Sequence, residues 1–336
     1  MHRIPILTAS LGALLVTAAL HAQAPANDVE AHVAAARAAA GQEYRNTFVN
    51  LCLPAAPRGG GPPAGPRAGG APVAPERSQW YAAPYKVFDN LYWLGTRQHS
   101  SWALRTSAGI MLIDTNFAWA TQPEIIDGMT ALNLDPRDIK YVFISHAHGD
   151  HDQGVAELQR RYGAKVVMGA ADWEATLARP ATAAGGVPTR GAGDVTVGPQ
   201  GTKITLGDTT VTVVPTPGHT PGTLSYVFPV KEQGKTVMVA YSGGTLTGGF
   251  GTDGARWDEY IASQKRIAGV AAEVGAAVIL SNHSEYDGAY TKARMVPLKR
   301  EPGEDHPFLA GTEGVQRYFT VMVECATASK LRLGAK

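Results

Sequence analysis

His146, His148, Asp150 and His151 fall within six positions of one another, directly after the apolar stretch Tyr141, Val142, Phe143 and Ile144. A strand delivering its C-terminal end into a tight loop can aim His146 and His148 at one cation. Asp150 and His151 then turn toward a second point a few ångströms away. Imidazole nitrogens and carboxylate oxygens without a thiolate suit Zn²⁺, with Mn²⁺ or Fe²⁺ behind it. Single histidines in loops are usually just solvated; four ligand-type side chains at this spacing read as a metal site.

A pair of metals needs more donors than this loop supplies, and two of the ten histidines fit. His219 lies in a Pro- and Gly-rich turn closing the β-branched run 211–214, and His283 follows the apolar run 277–280. Both sit where a strand's C-terminal end meets a loop, the place from which a rigid scaffold positions reactive groups. His2 and His21 belong to the leader, and His32, His99 and His306 lack this context. His99, at a hairpin tip, reads as solvated, with a contact to substrate as the alternative.

These motifs resemble the metallo-β-lactamase superfamily: HxHxDH, then a GHTPG turn, then a late His after a strand, across residues 80–286. The segments 88–95 and 111–114 are similar to that family's opening β-hairpins. The resemblance implies that His146, His148 and His219 hold one zinc, and Asp150, His151 and His283 a second. It also implies a four-layer αβ/βα sandwich, two mixed sheets packed face to face with helices outside and the metals at one edge. Periodicity agrees independently with an α/β class. Apolar residues recur at helical spacing over 122–132, 154–162 and 258–274, alternating with β-branched runs at 165–168, 203–206 and 236–239.

One segment departs from much of the family. Glyoxalase-II-like enzymes and many lactonases carry Gly-Asp-Thr-Leu in the segment that here runs from Ser242 to Thr247, and Gly244 or Thr245 stands in the place of the Asp. The Asp that bridges both metals is therefore missing. The chain looks most like the all-histidine lactamase subclass, whose Ser at this place contacts the second-site water and for which Thr245 is the nearest equivalent. By that resemblance Thr245 and Thr247 face the mouth of the site and hold a substrate carboxylate. Tyr286 is either a donor to the developing oxyanion or a packing residue beneath the loop.

The N-terminus has a charged start, an apolar run to Leu20 and small residues at 22–26, the pattern of an export signal cleaved between 22 and 26. No later stretch approaches the roughly 20 apolar residues needed to span a bilayer. The mature chain is thus expected to be periplasmic or secreted. An Ala-rich helix is expected over 29–51, within an N-terminal extension 25–53. A Gly, Pro, Ala and Arg linker follows at 54–77, then the hydrolase domain at 78–311 and a C-terminal helix over 314–331. Residues 179–201 read as a surface loop. The only cysteines, Cys52 and Cys325, are expected to form a disulfide in an oxidising compartment, with two buried thiols as the alternative.

The 336 residues, 44% of them hydrophobic, suffice for one large core, and a net charge of +1 leaves no basic footprint for nucleic acid. Zinc lowers the pKa of bound water to about 7, so a hydroxide held between the metals can attack a carbonyl at neutral pH. Asp150 orients that hydroxide. The expected activity is opening of a small-molecule β-lactam ring. The alternatives are hydrolysis of lactones, thioesters or other cyclic amides by the same site, or zinc binding without catalysis.

Overall fold

The structure, a computed structural model, describes residues 28–54, 74–245 and 249–336. The expected export signal, most of the Gly- and Pro-rich linker and Thr247 lie outside the described residues.

A seven-stranded sheet runs in the order β1 (Tyr85–Lys86), β2 (Leu91–Trp93), β3 (Trp102–Thr106), β4 (Gly109–Ile113), β5 (Ile139–Phe143), β6 (Lys165–Gly169) and β7 (Val195–Val197). Pairing is antiparallel up to β4 and parallel from β4 to β7. The second sheet contains β8 (Thr202–Leu206), β9 (Thr209–Pro215), β10 (Leu224–Glu232), β11 (Lys235–Ser242) and β12 (Val278–Ser281). Its order is β12-β11-β10-β9-β8, and only the β11–β12 pair is parallel.

Strand periodicity explains why the sheets stack. Met111, Ile113, Phe143 and Val167 of the first sheet meet Val213, Tyr226, Phe228 and Leu280 of the second in one shared core. Their neighbours Leu112, Val142, Val166 and Met168 point the other way, onto Ile125, Met129 and Leu158 of the outer helices. On the far face of the second sheet, Val214, Val227 and Ala240 pack against Tyr260 and Ile267 of the helix Gly254–Glu273 and Tyr318 and Met322 of the helix Gly311–Arg332. Strands covered on both faces read as near-continuous apolar runs, and the expected αβ/βα sandwich is what results.

Several elements differ in detail from expectation. The single helix over 29–51 is two, Val29–Ala40 and Arg45–Cys52, broken at Gly41, which adopts φ 52°. The helix over 122–132 starts earlier and passes through a π-helical stretch, Thr121–Ile126. The loop 179–201 supplies edge strand β7. Cys52 and Cys325 are disulfide-bonded, tying the N-terminal helices to the C-terminal one. Among the described residues no helix is long and apolar enough to cross a membrane.

Because β9, β11 and β12 run in one direction, as do β4 and β5, their C-terminal ends collect at a common edge. Strand β3 runs antiparallel to β4, so its N-terminal end, with His99 just before it, arrives there too.

Candidate metal centre

The loop after β5 is pinned from both sides. Ser145 donates through its backbone N–H (2.7 Å) and its hydroxyl (2.8 Å) to the Asp114 carboxylate, and its carbonyl accepts from Leu224 N across the sheet interface (2.8 Å). This brings His146 and His148 to His219. His219 Nε2 lies 3.1 Å from His146 Nε2 and 3.1 Å from His148 Nδ1. In the second cluster, His151 Nε2 lies 3.1 Å from Asp150 Oδ2 and 3.2 Å from His283 Nε2, which is itself 3.5 Å from that oxygen. Four ligands around one zinc at about 2.0–2.1 Å stand roughly 3.3 Å apart. Both clusters match that spacing, and a donor set of imidazoles with one carboxylate and no thiolate suits zinc. The structure thus gathers all six residues assigned as ligands from the sequence.

Behind the ligands lies a layer of fixed acceptors. Asp114, fully buried and at φ 58°, accepts from His151 Nδ1 (3.0 Å) and Tyr241 OH (2.8 Å) as well as from Ser145. The left-handed backbone is uncommon for a residue other than glycine, and here four hydrogen bonds to the carboxylate hold it in place. With the His151 proton held on Nδ1, Nε2 is the nitrogen that would face a metal. The carbonyl of Gly243 does the same for His146, accepting from Nδ1 at 2.9 Å. Asp172 couples the two first-site loops, accepting from Ala147 N (2.7 Å), Thr220 Oγ1 (2.7 Å) and Gly222 N (2.8 Å). Arg256 clamps the carbonyls of Gly218 and His219. Sequence reasoning missed Asp114, Asp172 and Arg256; for Asp114 the signal was there, an Asp at the end of an apolar strand.

The electrostatics separate the imidazoles. Burial, reinforced by neighbouring imidazoles, pushes His146 and His283 well below the ordinary histidine value, keeping both neutral as ligands must be. Burial also disfavours a charged His151, but the Asp150 and Asp114 carboxylates outweigh it and hold this residue up at about 10. A cation entering here competes with that proton. For Asp150, burial is overcome by His151, His283 and His99, which draw the carboxyl far below the usual range.

Three other assignments fall differently. Thr245 is buried; its hydroxyl donates to Asn282 Oδ1 (3.1 Å) and its carbonyl accepts from Tyr260 OH (3.3 Å). That turns it inward, away from a substrate carboxylate. Tyr286 packs in the core with Phe48, Tyr318 and Met322, its ring edge-on to His283 at 6.1 Å, and its carbonyl accepts from Thr47 Oγ1. His99 is not simply solvated: its Nε2 lies 3.5 Å from Asp150 Oδ2, and burial pushes it down to about 4 despite that carboxylate. Gly244 lies against the first cluster, where a Cβ would stand 2.7 Å from the Cβ of His219.

Residues 94–232 match the family model described as Metallo-beta-lactamase superfamily. The fold is similar to BJP-1, a subclass B3 metallo-β-lactamase of Bradyrhizobium japonicum. That likeness has 26% identity and a TM-score of 0.59 and covers 76% of this chain and 96% of that one. It is also similar in fold to the FEZ-1 metallo-β-lactamase of Legionella gormanii, with 23% identity, a TM-score of 0.63 and coverage of 76% and 98%. A hydroxyacylglutathione hydrolase of Acidiphilium cryptum is 28% identical over 137 residues, 37% of this chain and 49% of that protein. The chain thus spans about half the length of this curated relative.

Proposed function

We propose that this chain is an exported zinc-dependent hydrolase that opens β-lactam rings. One observation carries the reading: an all-histidine first cluster beside an Asp-His-His cluster. Similarity to subclass B3 lactamases over nearly their whole length supports it.

Zinc, when bound, polarises a carbonyl and makes hydroxide available near pH 7. The chain's own residues do the rest. His146, His148 and His219 hold one ion, and Asp150, His151 and His283 the other. Asp150 stays ionised beside three imidazoles, so its carboxylate can orient a nucleophile by accepting a hydrogen bond from it. Asp114 and the Gly243 carbonyl fix which nitrogen of His151 and His146 faces the metal. The shared core behind the loops keeps this edge rigid.

A second reading is thioester or lactone hydrolysis. It is favoured by the similarity to hydroxyacylglutathione hydrolases and by the way the arginines at the ligand loops are spent. Arg179 pairs with Asp152 and the Ala147 carbonyl, and Arg256 with the carbonyls of Gly218 and His219. Neither is free to hold an antibiotic's carboxylate.

The test is kcat/KM for a penicillin, a cephalosporin and a carbapenem beside an acylglutathione thioester and a homoserine lactone. Preference for the β-lactams supports the first reading; a thioester preference of a hundredfold or more overturns it. Export is tested by fractionating cells and sequencing the N-terminus of the mature chain, which the reading places between residues 22 and 26.

A further inference from the structure

The hairpin tip before β3 carries a histidine that the ligand set above leaves unused. His99 forms an isolated antiparallel bridge with His283, flanked by bonds from Ser100 N to Asn282 O (2.9 Å) and from Ser284 N to Gln98 O (2.7 Å). The tip is therefore tied to the segment that supplies a metal ligand. Its turn is tight: Thr96 N donates to His99 O, and Thr96 Oγ1 accepts from His99 N (2.9 Å). Gly95 permits it, because a Cβ there would stand 2.4 Å from the His99 carbonyl.

The ring is fixed as well. Nδ1 sits 3.2 Å from Thr96 Oγ1, and Phe117 meets the imidazole edge to face at 5.1 Å. With one nitrogen anchored, Nε2 is left to face the site, where it approaches the same Asp150 oxygen that His151 and His283 approach. Donor atoms of His99, Asp150 and His283 all lie within 4.8 Å of one another. This is how a metal-ligating imidazole is usually held, with its far nitrogen committed to a partner that sets its orientation.

We infer that His99 is a protein ligand of the second ion, alongside Asp150, His151 and His283. The inference rests on the reading that this edge holds two divalent ions and not on the identity of the substrate. Its consequence is an asymmetry between the ions. Four protein donors describe a closed site, whereas three leave the open position that a catalytic zinc keeps. The open coordination position then belongs to the ion at His146, His148 and His219, and the second ion serves chiefly to hold Asp150 and the hairpin tip in place.

The experiment titrates metal-free wild-type, His99→Ala and His99→Gln proteins with Zn²⁺ in competition with a chromophoric chelator, and records X-ray absorption of the loaded samples. Circular dichroism and melting of the metal-free forms check folding. Loss of one outer partner of a ligand costs about 10–100-fold in affinity, so loss of a ligand should weaken the second ion by at least about tenfold. The first ion keeps its affinity, and imidazole scattering per zinc falls in both variants. Two ions bound with wild-type affinity and unchanged scattering by folded His99→Ala and His99→Gln overturn the assignment. Wild-type protein that takes up only one ion overturns instead the two-ion reading on which it depends.

Discussion

Replacing Asp114 by Asn keeps the shape of the side chain and changes what it can accept. The carboxylate now takes four hydrogen bonds, two from Ser145, one from His151 Nδ1 at 3.0 Å and one from Tyr241 OH at 2.8 Å. An Asn that keeps its oxygen toward Ser145 N turns an amide N–H toward the imidazole. His151 must then carry its proton on Nε2, the nitrogen that faces the metal. Partners of this kind are worth about 10–100-fold in metal affinity, or roughly 1.4–2.8 kcal/mol. The metal-free fold also loses charge-assisted bonds in a fully buried place, each worth about 1.5–3 kcal/mol. Competition titration should show the second ion weakened by that factor and the first almost unchanged, with a lower Tm for the metal-free protein. Equal weakening of both ions, or wild-type affinity at both, would refute the reasoning.

Glu124 is buried with Oε2 unpartnered, and burial raises its pKa from 4.5 to about 8 although the Ala82 N–H and Arg77 oppose it. The folded state therefore holds a proton that the unfolded state releases, so the stability contributed by this group is fully present below pH 4.5 and is lost as pH rises through the window to about 8. Glu124→Gln should raise Tm at pH 8–9, leave it unchanged at pH 4 and flatten the profile between; an unchanged slope contradicts this. Thr245→Ala removes a buried donor to Asn282 and should cost about 1–2 kcal/mol of stability with little change in KM; a large rise in KM without loss of stability would restore a substrate contact for this hydroxyl. Cys52→Ser opens a crosslink spanning 273 positions and should cost about 2–5 kcal/mol in urea unfolding; the N-terminal helices should become the first protease-sensitive segment.

What was legible in the sequence lies at strand ends. His146, His148, His219 and His283 each follow an apolar or β-branched run, so strand and loop could be read together with the chemistry. The layer behind them was not legible in the same way. Asp172 joins loops about 25 and 50 positions away, and an Asp inside a helical pattern carries no mark of that. His99 looked solvated because its partner lies 184 positions on, and nothing local announces an antiparallel bridge to His283. Thr245 was placed by analogy with a neighbouring subclass, yet its buried bond to Asn282 depends on a contact 37 residues away. Helical periodicity found the segment 122–132 but could not see that it widens into a π-turn around Thr121–Ile126.

The most direct test is ring opening of a chromogenic cephalosporin by the purified, zinc-loaded chain lacking residues 1–24. A parallel sample is stripped by chelation and then resupplied with zinc. Turnover is expected at an enzyme-like rate, for which about 10 per second is a typical value, lost on stripping and regained with zinc. Absent or very slow turnover in protein that has taken up two zinc ions would contradict that expectation.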